Sequence, residues 1–133
     1  MLNTPIDLNK ESGEQHFEND TMIAVKSNNL KNNTLIGSYV IIPKSEVSSP
    51  FDLSDREWAD SKALMKEVKE YIDAKYKPDG YNIGWNVGET AGQHVAHAHL
   101  HIIPRFADEL YAGKGIRHWF KQPENIRSSL KTE

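Results

Sequence analysis

Four of the six histidines of this 133-residue chain fall between residues 94 and 101, in the run Gly92-Gln93-His94-Val95-Ala96-His97-Ala98-His99-Leu100-His101-Ile102-Ile103-Pro104-Arg105. His97, His99 and His101 are separated by single apolar residues. In an extended strand successive side chains point to opposite faces, so the spacing predicts three imidazoles on one face. Ala98, Leu100 and Ile102 are then expected to bury on the other. Imidazole titrates near neutral pH and can act as nucleophile, acid, base or metal ligand. The row predicts a catalytic or metal site.

Two chemistries could use it. A strand His-x-His pair with a third His can complete a three-nitrogen zinc site with one open position. Same-face neighbours on one strand lie about 6.5–7 Å apart, however, so a row does not surround one ion evenly. The nearest acids in sequence that could orient metal-bound imidazoles are Glu89 and Asp108. The other chemistry is nucleophilic attack on phosphorus, where a neutral imidazole is a good nucleophile and a neighbour can stabilise charge or protonate a leaving group. Upstream, Gly88 and Gly92 permit close backbone approach, and Asn86, Thr90 and Gln93 offer neutral donors. Such donors suit a phosphate and do little for a cation.

The elements that must position this row are legible in outline. Thr21 to Val25 and Leu35 to Ile42 read as strands, the second closed by Pro43, with the turn-rich Lys26–Asn33 as a loop between them. Ser54-Asp55-Arg56-Glu57 is a capping box. It opens a helix of about five or six turns whose apolar stripe is Trp58, Ala63, Leu64, Met65, Val68, Tyr71 and Ile72. Lys77-Pro78-Asp79-Gly80 ends it in a turn. Tyr81 to Val87 reads as a strand, and the histidine strand runs on to Ile103. The short loop between these two predicts an antiparallel pair. The expected fold class is α+β, a mainly antiparallel sheet with one long helix.

The domain reading is a polar arm over 1–20, a core over 21–106 and a tail over 107–133 packed on the same domain. The chain has 26% charged and 38% hydrophobic residues, a formal charge of −3 and no cysteine. These values exclude disulfides and thiolate chemistry and give no overall attraction to nucleic acid or anionic membrane. No apolar stretch is long enough to span a bilayer, and the start resembles no secretory signal. A cytoplasmic protein without nucleic-acid or membrane partners is expected. The tail segment Gly113–Lys121 is basic with interleaved aromatics, a pattern that binds nucleic acid elsewhere; packing on its own domain is the expectation here. His16, alone in the arm, reads as solvated.

His97-Ala98-His99-Leu100-His101-Ile102-Ile103 has the His-φ-His-φ-His-φ-φ form, φ being apolar, and resembles the signature of the histidine triad (HIT) superfamily. Asn86–Gln93 resembles the segment preceding that triad, and Val40-Ile41-Ile42-Pro43-Lys44 is similar to a family strand ending in Ile-Pro-Lys. The likeness covers roughly residues 20–106 in order and spacing. It implies a nucleotide hydrolase or nucleotidyl transferase that attacks an α-phosphate, needs no metal or other cofactor, and pairs as a homodimer through the long helix and adjoining strand. Carried over, His99 is the nucleophile, His97 orients and polarises it, and His101 contacts phosphate and assists the leaving group. Gln93 and Asn86 match positions that bond the phosphate or scissile bridge. His94 stands where members often carry a phosphate-binding Ser or Thr, with a donor role and a solvated edge position both open. Arg105 resembles the family's closing Pro-Arg, as a polyphosphate contact or as a surface salt bridge.

Two departures accompany the likeness. Gly37-Ser38 replaces a histidine that supports the triad from behind in many members, and the family's ribose-binding acid has no counterpart among Lys26, Ser27, Asn28 and Asn29. Phosphoramidates, dinucleoside polyphosphates and nucleotide esters all stay open as substrates. A zinc enzyme and a catalytically silent nucleotide-binding regulator are the competing readings.

Overall fold

The computed structural model describes residues 16–27 and 34–131. Most of the polar arm, and Asn28 and Asn29 of the turn-rich loop, lie outside the described residues. Five strands, β1 (Phe17–Glu18), β2 (Met22–Lys26), β3 (Tyr39–Pro43), β4 (Gly80–Trp85) and β5 (Leu100–Arg105), form one antiparallel sheet in the order β1-β2-β3-β5-β4. One long helix, α1 (Asp55–Tyr76), crosses one face. The expected α+β architecture is met.

Helix α1 begins where the capping box requires. Ser54 Oγ accepts from Glu57 N–H, and the Glu57 carboxylate accepts from Ser54 N–H, satisfying two otherwise orphaned donors. Leu64, Val68 and Ile72 are fully buried against Met22, Ala24, Tyr39, Ile41, Leu100 and Ile102 of the sheet. The buried stripe is narrower than the sequence pattern predicts. Ala63 is exposed, and Trp58 keeps 44% of its surface while meeting Trp85 of the edge strand β4 edge-on. Ser61 buries instead.

Two strand boundaries differ from expectation. β3 starts at Tyr39, since Leu35 (φ 53°) and Gly37 (φ 81°) turn through the left-handed region just before it. A side chain at Gly37 would meet the Tyr76 ring at 3.0 Å. β5 starts only at Leu100, so His97 and His99 precede the ladder. Their segment is held by side-chain bonds and by Ala98 N–H donating to Val47 O at 2.9 Å. Alternation nevertheless persists. Ala98, Leu100 and Ile102 are buried, while His97, His99 and His101 are half-buried on the other side.

Candidate active site

The triad lies on the sheet face opposite α1. His101 sits in β5 between Val40 of β3 and Gly84 of β4; Gly84 adds no side chain beside it. His99 and His101 rings meet edge-on, centroids 4.8 Å apart. The structure therefore brings the three imidazoles together on one face.

Each ring is in a different state. His97 Nε2 lies 2.7 Å from Pro43 O and His99 Nδ1 lies 3.0 Å from His97 O. A carbonyl oxygen can only accept, so both nitrogens carry protons. Neutral His99 is thereby the Nδ1–H tautomer with the Nε2 lone pair free. The group that orients His99 is the main-chain carbonyl of His97, whose own ring is turned to Pro43. His101 Nε2 is buried without a hydrogen-bond partner. Burial, and secondarily the charge of His99, lower the His101 pKa below the ordinary histidine value.

The loop before the triad is shaped by two glycines. Gly88 (φ 86°) and Gly92 (φ 98°) flank a single 3-10 turn over Glu89–Ala91. A Cβ on Gly92 would make only ordinary contact with Asn86 Nδ2, at 3.5 Å, so the positive φ is what calls for glycine there. Asn86 is exposed, following Trp85 of β4 just as His99 precedes Leu100 in the paired strand. His94 is also exposed and precedes β5, so strand parity does not set its direction.

Gln93 and Arg105 both spend their side-chain hydrogen bonds within the chain. Gln93 is 3% exposed. Its Oε1 accepts from Gly88 N–H at 2.8 Å, and its Nε2 donates to Ser48 O at 2.8 Å and Val95 O at 3.0 Å. The carboxamide thus ties the glycine loop to the triad segment and to the connection after β3, because a buried amide must satisfy its donors and acceptor internally. Arg105 donates to Glu109, to Asn82, to Lys114 O at 2.8 Å and to Tyr111 O at 2.9 Å. It forms the salt bridge that was one of its two readings, to Glu109, and through the two carbonyls it also tethers the C-terminal segment.

The supporting groups that sequence reading missed are main-chain carbonyls, those of Pro43, Ser48 and His97. Every residue type carries a carbonyl, so no side-chain pattern announces them. Among the described residues no three His, Asp or Glu side chains group so as to hold a metal ion. The His97 nitrogen donating to Pro43 has no lone pair to give a cation.

The chain is 36% identical over 92 residues to the adenosine 5'-monophosphoramidase hnt1 of Schizosaccharomyces pombe, covering 69% of this chain and 66% of that protein. It is 37% identical over 71 residues to the asymmetrical bis(5'-nucleosyl)-tetraphosphatase of the same yeast, covering 53% and 39%. A crystal structure of a HIT family protein from Bacillus anthracis superposes with a TM-score of 0.61 at 29% identity, covering 69% of this chain and 63% of that one. The chain thus spans about two thirds or less of the length of these relatives. The family model of the HIT domain matches residues 12–108, and with the triad, its flanking segments and the sheet all in place, the chain belongs to the HIT family.

Proposed function

We propose that this protein is a nucleotide hydrolase or nucleotidyl transferase working at an α-phosphate, in the cytoplasm and without a metal cofactor. The observation that carries the reading is the free Nε2 lone pair of His99, set by the Nδ1–H bond to His97 O. The relatives named as phosphoramidase and dinucleoside-polyphosphate hydrolases support the substrate class.

In the proposed reaction His99 Nε2 attacks the α-phosphorus. The phosphorus–oxygen or phosphorus–nitrogen bond to the leaving group breaks, and the leaving group takes a proton. Water then attacks the nucleotidyl-histidine, the phosphorus–nitrogen bond breaks, and a nucleoside monophosphate departs. His101, whose proton affinity burial lowers in the free protein, regains it when an anionic phosphate binds beside it, so it can supply the leaving-group proton. Asn86 and His94 are the exposed donors for the phosphate. Gln93 shapes the loop from behind.

The homodimer belongs to the same reading. β4 is an edge strand, and beside it Trp58, Met65, Ile83 and Trp85 line an apolar groove of about 270 Å³. An exposed edge with Ile83 and Trp58 each nearly half open suits pairing with a second copy.

The test is a substrate panel of an adenosine phosphoramidate, diadenosine tri- and tetraphosphate and a nucleotide ester, run with the wild type and His99→Ala. Turnover by the wild type with a labelled adduct that survives alkali and is lost in acid, as a phosphorus–nitrogen bond requires, is expected, with both turnover and adduct lost in His99→Ala. Full activity in His99→Ala refutes the nucleophile. Stoichiometric zinc that restores activity favours the metal reading, and nucleotide binding without turnover or adduct favours the silent regulator.

A further inference from the structure

The C-terminal segment carries chemistry that the triad does not use. It lies beyond residue 108, where the family match ends. Over residues 112–131 Lys114, Arg117, Lys121, Arg127 and Lys131 stand against the single acid Glu124, in a chain of formal charge −3. Lys114 Nζ lies over the Tyr111 ring at 4.8 Å and the Trp119 ring at 5.3 Å. Trp119 meets Tyr111 and His118 edge-on at 5.9 and 4.7 Å. Trp119 and Phe120 still expose 55% and 69% of their surfaces. The segment is therefore less packed on the domain than the sequence suggests.

Its placement matters as much as its composition. Arg105 lies on the same face of β5 as His101, and its bonds to Tyr111 O and Lys114 O hold the segment against that face. Ile116 then reaches within 3.9 Å of the point where a Cβ on Gly84 would sit, and Gly84 is the β4 partner of His101. The cationic, aromatic segment runs from Arg105 toward the triad. Four residues of strand rise separate Arg105 from His101, about 13 Å, a span for a polyphosphate bridge rather than for a single amide.

Resting on the triad reading, we propose that residues 111–121 form a second subsite for a nucleoside phosphate, the part of a dinucleotide substrate beyond the attacked phosphorus. The base stacks on the open indole of Trp119, and Lys114, Arg117 and Lys121 meet its phosphates. Among the described residues these three cations have no carboxylate partner. Continuity with the triad face favours a small ligand, while the negative whole-chain charge gives no long-range pull on nucleic acid.

Calorimetric titration of the full chain with ADP tests the subsite without relying on turnover. Two classes of site per chain are expected in the wild type, one of them lost in Trp119→Ala and in Lys114→Ala, and kept in Trp119→Phe. One class in the wild type, or two in Trp119→Ala, overturns the subsite. A single-stranded oligonucleotide that binds at Trp119 more tightly than ADP overturns it in favour of a nucleic-acid surface. In turnover, Trp119→Ala is expected to lower kcat/KM for diadenosine triphosphate at least ten times more than for an adenosine phosphoramidate; equal losses overturn the assignment. Should His99→Ala retain activity while ADP still binds at Trp119, the nucleophile fails and the subsite stands.

Discussion

The His99 Nδ1 proton is donated to the main-chain carbonyl of His97 at 3.0 Å. Two residues apart in sequence, this pair both aims the imidazole and chooses its tautomer. The carbonyl survives any substitution of the His97 side chain. His99→Ala is therefore expected to reduce kcat about a thousandfold or more. His97→Ala and His101→Ala should lose less, about a hundredfold. Single-turnover kinetics with labelled nucleotide checks the ranking, with thermal unfolding confirming that each variant folds.

His101 makes a pH prediction with a definite sign. Its folded-state pKa is lowered, chiefly by burial. The unfolded chain consequently binds this proton more readily than the folded one, and stability is full above the unfolded value of about 6.5 and falls as pH drops toward the folded value. Thermal unfolding at about pH 7.5 and about pH 5.5 should show a loss that is smaller in His101→Asn. An identical loss in both proteins contradicts the assignment.

Gln93 is expected to act through the loop it braces. Gln93→Leu removes the partner of Gly88 N–H and leaves two carbonyls with fewer donors, at a cost of about 1–3 kcal/mol in stability. Denaturant unfolding measures this. A residue that only touched substrate would leave unfolding unchanged and alter kinetics alone.

Arg105 holds the C-terminal segment by bonds to main-chain oxygens as well as to Glu109, whose carboxyl is held below its usual range first by the Phe106 N–H and then by Arg105. Arg105→Ala should release residues 109–116. Faster amide exchange and proteolysis there, with little change in the core helix, are the expected readouts. Protection equal to the wild type shows that the segment has other anchors.

Composition and spacing alone identified the three imidazoles, the opposing apolar row, the capped helix and the antiparallel strand pair. The rows depend on local periodicity, which a strand or helix converts directly into a face, and the helix start and strand pairing on signals only a few residues long. What the folded chain decided is where side chains spend their hydrogen bonds. The donors Gln93 and Arg105 look available in sequence, yet both are committed to carbonyls, Gln93 to Ser48 and Arg105 to Lys114 and Tyr111. The three histidines look equivalent, and only their distinct partners, Pro43 O for His97, His97 O for His99 and none for His101 Nε2, make them unlike. Those differences come from contacts with backbone, which no residue pattern encodes.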